Sequence, residues 1–289
     1  MTTGLALLAS LLWGGSDFLG GTAARRLPAV GVVLVSQAVA LAGLVVVAAA
    51  TGGFDAGSEY VGWAAAAAVV GLVALVGFYA ALAEGTMGVV APIAALGVVV
   101  PVLVGVGQGD RPTAWQGIGV AVAVLGVVLA SGPELRPAAR AAGGRGAGGR
   151  RPLLLAALAA VGFGLVVVFV ARGAQSNTLM TLLVMRAVTV ALLTGLAGTG
   201  RIRVRASRRD LPMLAAIGIG DVGANAAFAV ASTGGLLSMV AVLSSLYPAV
   251  TVLLARAVHD ERLQPVQTAG VVGALAGVAL IASGGGAGG

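Results

Sequence analysis

The apolar run at residues 29–51, AVGVVLVSQAVALAGLVVVAAAT, decides the fold class of this chain. It contains no charged side chain, and its most polar residue is Gln37. A helix needs about 20 apolar residues to cross the hydrocarbon core of a bilayer. Because no water is present there to bond to the backbone, a run of this length crosses as a helix. The run therefore predicts a transmembrane helix.

The composition extends this prediction to the whole chain. Hydrophobic residues make up 59% of the 289 residues and charged residues only 9%, whereas soluble domains carry about 25% charged residues. This composition argues against soluble enzymes, secreted modules and nucleic-acid-binding proteins. The chain has no cysteine and one histidine. We therefore expect no disulfide framework, no metal site and no cofactor.

Similar apolar runs recur along the sequence, separated by short gaps rich in Gly, Pro, Asp or Arg. A basic, Gly/Ala-rich stretch at 133–151 is typical of a flexible linker. It divides the chain into two units, 1–132 and 152–289. The sequence thus predicts an all-α integral membrane protein with ten transmembrane helices, at residues 4–23, 29–51, 61–83, 87–107, 113–132, 152–171, 178–198, 211–232, 236–257 and 264–284.

The two units resemble each other in sequence. Phe78 corresponds to Phe228 and Asp110 to Asp260, a spacing of 150 residues in both cases (228 minus 78, 260 minus 110). Each unit has five predicted helices, an odd number. Two such units in one chain therefore enter the membrane in opposite orientations, and we predict inverted-topology repeats.

The distribution of charge agrees with opposite orientations. In the first unit, Arg25 and Arg26 follow the first helix, and Asp55 and Glu59 follow the second. In the second unit, the arginine-rich loop follows the second helix, at 201–209. The positive-inside rule then places the loops after odd-numbered helices in the cytoplasm and both termini outside.

Three stretches carry a resemblance to a known family: 13–18 (WGGSDF), 240–248 (VAVLSSLYP) and 260–262 (DER). With the two five-helix units, they resemble the EamA-type transporters of the drug/metabolite transporter superfamily. The chain departs from its own repeat at Arg111, which stands where the second unit has Glu261. The resemblance implies a multi-pass protein of the plasma (inner) membrane that exports amino acids, metabolites or drugs by alternating access. It supplies no catalytic motif, so we predict that the protein is not an enzyme.

Three ionisable residues lie inside predicted helices: Asp17, Arg186 and Asp221. A charge in the hydrocarbon core costs about 3 kcal/mol on insertion scales, so it needs a partner or a function. Two acids and one base leave one carboxylate without a counter-charge, which suits it to bind and release a proton during transport. The alternative is a static Asp–Arg pair that holds helices together.

Two further side chains share helical faces with these acids. Trp13 precedes Asp17 by four residues, and Asn225 follows Asp221 by four. An acid beside a tryptophan is a candidate site for a cationic solute. The alternative for Trp13 is packing or anchoring at the membrane interface.

Polar residues elsewhere extend the candidate site. Gln37 lies near the repeat equivalent of Arg186, so we expect it to line the same cavity from the other unit. Ser244 and Tyr247 add hydroxyl groups, which bind either the solute or the local backbone. Prolines inside the equivalent fourth and ninth helices predict kinks and a gating role: Pro92, Pro101 and Pro248.

These observations favour a secondary active exporter, coupled to protons, that binds a small molecule between its two units. The alternative is a flippase for lipid intermediates, or a passive channel, on the same scaffold. We expect the lipid bilayer as the surrounding partner, no nucleic acid, and a monomer or a homodimer.

Overall fold

The computed structural model describes residues 1–54, 57–85, 87–109, 113–130, 150–200, 206–259 and 265–284. Within these ranges the chain is helical and contains no strand. The α-helices, in chain order, are α1 (Thr2–Ala24), α2 (Ala29–Thr51), α3 (Val61–Glu84), α4 (Met87–Ala95), α5 (Val99–Gly107), α6 (Ala114–Ala130), α7 (Arg150–Gly198), α8 (Leu211–Thr233), α9 (Leu237–Ser244), α10 (Tyr247–His259) and α11 (Pro265–Gly284).

The surface of the helical assembly is apolar. Helices α2, α3, α7 and α8 are long and apolar enough to cross a membrane. Large side chains point outward, for example Leu103 and Leu154, each 67% exposed. Alanine dominates the buried core. Small residues inside and large apolar residues outside suit a protein whose solvent is lipid, and the chain is consistent with an integral membrane protein.

Helix α7 joins two predicted spans. A loop was expected in the gap between the predicted spans 152–171 and 178–198, but residues 172–176 are helical and the break is confined to Asn177 (φ −159°, ψ 108°). The Oδ1 atom of Asn177 accepts a hydrogen bond from the N–H of Met180 at 2.9 Å, as an N-cap does. This cap starts a new helix, so α7 has a first arm (150–176) and a second arm (178–198).

Several predicted features lie wholly or partly outside the described residues. Helix α7 begins at Arg150, so the last two residues of the predicted linker are helical, whereas 133–149 are not described. The charged positions at 110–112, 201–205 and 260–262 are also outside the described ranges.

The predicted spans 87–107 and 236–257 are each interrupted. A 3₁₀ turn at Leu96–Val98 separates α4 from α5, and Ser245 and Leu246 separate α9 from α10. Two of the three prolines expected to kink these spans follow the breaks instead. Pro101 and Pro248 lie in the first turns of α5 and α10, where the missing N–H has no helical partner to lose. Pro92 lies inside α4.

The helices pack so that each half contacts the other. Helix α1 packs on α8 and α10, the first arm of α7 packs on α3 and α4, and α6 packs on α11. Small residues allow these close approaches. A Cβ atom at Gly14 would lie 2.6 Å from the carbonyl oxygen of Tyr247, and the Thr251 hydroxyl donates a hydrogen bond to the Gly14 carbonyl at 3.1 Å. The α1–α10 contact therefore depends on a glycine at position 14.

Candidate functional site

A buried ion pair lies between α7 and α8. The Nη2 atom of Arg186, on the second arm of α7, is 3.0 Å from Oδ2 of Asp221. Their side chains are 7% and 13% exposed. Because both side chains are buried in an apolar assembly, removing one of them would leave the other as a costly, uncompensated charge.

Gln37 connects this pair to the first half of the chain. Its Oε1 atom accepts a hydrogen bond from Nη1 of Arg186, and its Nε2 atom donates one to Oδ2 of Asp221 at 2.9 Å. The Gln37 amide therefore accepts a hydrogen bond from the Arg186 guanidinium and donates one to the Asp221 carboxylate. Helices α2, α7 and α8 are joined by one polar network.

Asn225 completes the environment of the Asp221 carboxylate. One helical turn further along α8, its Nδ2 atom donates to Oδ1 of Asp221 at 3.0 Å and to the Asp221 carbonyl at 2.8 Å. Both carboxylate oxygens of Asp221 therefore have partners. The Nε and Nη2 atoms of Arg186 are buried without a hydrogen-bond partner among the described residues, because the Nη2 contact to Asp221 has ion-pair distance but not hydrogen-bond geometry.

Asp17 is in a different situation. It is 7% exposed on α1, and its carboxylate has no hydrogen bond or ion pair with the described residues. It lines the same cavity as Arg186 and Asp221. The cavity therefore holds two carboxylates and one guanidinium, and the uncompensated carboxylate is that of Asp17.

This cavity, here called the charged cavity, has a volume of about 110 Å³. That is room for several waters or a small solute. The described residues contain no group of three or more His, Cys, Asp or Glu side chains arranged to hold a metal ion. The polar and aromatic residues that line the charged cavity are Trp13, Asp17, Gln37, Phe163, Arg186, Thr189, Asp221, Asn225 and Tyr247.

Aromatic rings form one wall. The ring of Trp13 lies 5.8 Å from that of Phe228 and 6.5 Å from that of Tyr247, measured between centroids. The Tyr247 hydroxyl is buried without a hydrogen-bond partner among the described residues. This wall is therefore held by ring packing.

The structure brings most of the predicted site residues together: Trp13, Asp17, Gln37, Arg186, Asp221, Asn225 and Tyr247 all line the charged cavity. Ser244 does not. Its hydroxyl donates to the Ala6 carbonyl at 3.2 Å, and it lines a smaller cavity together with Pro101. Neither cavity is lined by Pro248.

Two of the polar and aromatic lining residues were not predicted, Phe163 and Thr189. Thr189 follows Arg186 by three residues on α7, so helical spacing from the arginine could have indicated it. Phe163 lies in the uniformly apolar first arm of α7, and nothing in its local sequence distinguishes it from its neighbours.

Comparison with known proteins identifies the family. The chain matches the EamA-like transporter family twice, over residues 2–132 and 150–283. It is also similar to a solved structure titled "Crystal structure of protein", with 20% identity, a TM-score of 0.73, and coverage of 96% of this chain and 95% of the other. No curated protein matches the chain. Because two copies of the family pattern span nearly the whole sequence, the chain belongs to the EamA-like transporter family, a membrane transporter family of the drug/metabolite transporter superfamily.

Proposed function

We propose that this protein is a secondary active transporter that binds a small molecule in the charged cavity and exports it across the plasma membrane. The observation that carries the proposal is the cavity itself. In a chain with so few charged residues, an ion pair and a carboxylate that has no partner among the described residues face one cavity between the two halves. An ionisable group at this position is costly unless it serves a pathway.

Alternating access follows from an inverted repeat of ten transmembrane helices. The packing of the helices supports this arrangement, because each of the main contacts between the halves has a counterpart made by the equivalent helices. Helix α1 packs on α8 as the first arm of α7 packs on α3, and α6 packs on its counterpart α11. Rocking of one repeat against the other then exposes a fixed central site to each side in turn.

Asp17 is the proposed proton-coupling residue. Asp221 is neutralised by Arg186 and hydrogen bonded by Gln37 and Asn225, whereas the Asp17 carboxylate has no hydrogen bond or ion pair within the described part of the chain. Among the described residues, the titratable groups that interact with the Asp17 carboxylate are Asp221 on α8 and the hydroxyls of Tyr79 on α3 and Tyr247 on α10. A carboxylate in this environment alternates between a bound proton and a bound solute.

Untargeted comparison of metabolites exported by cells with and without the protein would identify candidate solutes, which are then tested in proteoliposomes. We expect transport driven by a pH gradient, with this dependence lost in Asp17→Asn. Glu59→Gln is the matched control, because Glu59 is exposed and lies two residues before α3.

Two results would contradict the proposal. Proton-driven transport by Asp17→Asn at the rate of the unmodified protein would exclude Asp17 as the coupling residue. Solute flux that no ion gradient can drive uphill would favour the channel alternative, and movement of lipid-linked solutes alone would favour the flippase.

A further inference from the structure

The positive and negative charges that line the charged cavity are unequal in number. Two carboxylates, Asp17 and Asp221, and one guanidinium, Arg186, line it. Arg186 lies 3.0 Å from Asp221, so these two charges compensate each other. The Asp17 carboxylate has no hydrogen bond or ion pair within the described ranges. When both acids are ionised, the cavity lining therefore carries one uncompensated negative charge, at Asp17.

Aromatic rings lie on the same cavity as this carboxylate. Trp13 precedes Asp17 by one helical turn on α1, and both residues line the charged cavity. The rings of Phe163 and Tyr247 line it as well. Ring faces attract organic cations, and the attraction is stronger when the cation is desolvated. A buried carboxylate with aromatic neighbours is therefore suited to an ammonium group.

The remainder of the cavity lining is apolar. On α3 the lining residues Ala67, Gly71 and Leu75 are spaced by one helical turn and share one face. Val166 and Val167 line the cavity from the first arm of α7. The cavity volume of about 110 Å³ corresponds to about four waters, or to a solute of about five non-hydrogen atoms. A solute that fits this space is small and partly apolar.

We propose that the charged cavity selects a small monovalent organic cation, a primary amine with a short apolar chain, over a carboxylate or a zwitterion of similar size. The ammonium group binds the Asp17 carboxylate beside Trp13, and the apolar chain lies against α3 and the first arm of α7. This inference rests on the proposed transport function and names the chemical class of its solute.

Arg186 does not make the cavity a site for an anion. Its charge is compensated by Asp221, and its Nη1 atom donates a hydrogen bond to Gln37. A bound carboxylate would be a third negative charge in the cavity, and like charges at short range in a partly buried site repel each other. The Arg186 Nε atom and the Tyr247 hydroxyl are buried without a hydrogen-bond partner among the described residues. Water or another neutral acceptor satisfies such donors without adding charge.

Four probes with the same number of carbon atoms separate the effect of charge from that of size: n-butylamine, butyrate, 2-aminobutyrate and n-butanol. At pH 7 they are a cation, an anion, a zwitterion and a neutral alcohol. Their dissociation constants for the purified full-length protein are measured by ligand-observed NMR. We expect n-butylamine to bind at least about tenfold more tightly than each of the other three, because it alone adds a charge-assisted hydrogen bond without adding a negative charge.

Removing the Asp17 charge should abolish this preference. Asp17→Asn should weaken the binding of n-butylamine by at least about tenfold and change that of n-butanol by less than about twofold. Glu59→Gln is the matched control, because it removes one negative charge at an exposed position that does not line the charged cavity, and we expect it to leave both affinities unchanged.

Trp13 provides an independent variant. Trp13→Leu should weaken the binding of n-butylamine by about three- to tenfold, whereas Trp13→Phe, which keeps an aromatic ring, should retain most of the affinity. Trp63→Leu is the control for the loss of a tryptophan, because Trp63 packs on Phe169 and does not line the charged cavity. We expect this variant to bind n-butylamine as the unmodified protein does.

Three outcomes would overturn the inference. In the first, n-butylamine binds no more tightly than butyrate or 2-aminobutyrate, or does not bind. In the second, Asp17→Asn leaves the binding of n-butylamine unchanged, and in the third, Glu59→Gln weakens it equally. Binding is measured at equilibrium without a pH gradient. A failure of Asp17→Asn to alter proton coupling therefore contradicts the proposed function alone, whereas preferential binding of butyrate contradicts this inference alone.

Discussion

Removing Arg186 while Asp221 remains is the perturbation that bears most directly on the polar network. The Nη2–Oδ2 distance is 3.0 Å and both side chains are largely buried. Coulomb's law at an effective dielectric constant of about 20 gives an attraction of ~5 kcal/mol for unit charges at this distance. We therefore expect Arg186→Met to lower the free energy of unfolding by about 3–5 kcal/mol, the range for breaking a buried ion pair.

A double variant, Arg186→Met with Asp221→Asn, separates the loss of the ion-pair attraction from the cost of leaving the Asp221 carboxylate buried without its counter-charge. Arg186→Met leaves the Asp221 carboxylate buried with only Gln37 and Asn225 as partners. Adding Asp221→Asn removes that charge, so the double variant should be more stable than Arg186→Met alone. The coupling energy from the double-mutant cycle should be about 3 kcal/mol.

Reversible unfolding by SDS in mixed micelles, followed by tryptophan fluorescence, measures these free energies. An exposed ion pair of the same length provides the control: Arg151 and Glu84 are also 3.0 Å apart, but their side chains are 74% and 38% exposed. Arg151→Met should cost no more than about 1 kcal/mol. If Arg186→Met costs no more than Arg151→Met, the ion pair does not hold α7 and α8 together and the reasoning is refuted.

Three further predictions concern single side chains in the same assay. Gln37→Leu should lower the free energy of unfolding by about 1.5–3 kcal/mol, since it removes hydrogen bonds to both members of the ion pair; a change below about 0.5 kcal/mol would show that Gln37 contributes no net stability. Asp17→Asn should leave this free energy unchanged or higher, because its carboxylate has no partner to lose among the residues that the structure describes, and a clear destabilisation would mean that it has one. Gly14→Ala should cost about 1–3 kcal/mol through overpacking against α10, whereas Gly15→Ala, with no atom within 4 Å of the added Cβ, is the control; equal effects at the two positions would contradict the described packing.

The positions of the helices follow from the sequence because apolar length and helix-breaking residues determine them locally. The predicted run at 29–51 coincides with α2. The loop expected between the predicted spans 152–171 and 178–198 was wrong, because a single cap at Asn177 is enough to separate two helices. A window of hydropathy detects a polar gap, but it does not detect one residue with extended backbone angles.

The candidate site was predicted only in part, because the sequence shows which residues are ionisable but not which of them come into contact. Ionisable residues in an apolar chain stand out in the sequence, and Asp17, Arg186 and Asp221 do line one cavity. The sequence left open which acid the arginine would pair with, because that depends on how α1, α7 and α8 pack. Ser244 and Phe163 show the same limit, since their positions are set by contacts between distant parts of the chain.

The central claim is that the charged cavity is reached in turn from both sides of the membrane. The most direct measurement is the labelling of a single introduced cysteine, Thr189→Cys, by a membrane-impermeant thiol reagent in two populations of sealed vesicles, one of each orientation; the chain has no other cysteine. We predict labelling from each side, with rates that shift in opposite directions when a transported solute or a pH gradient is applied. Labelling from one side alone under every condition would contradict alternating access.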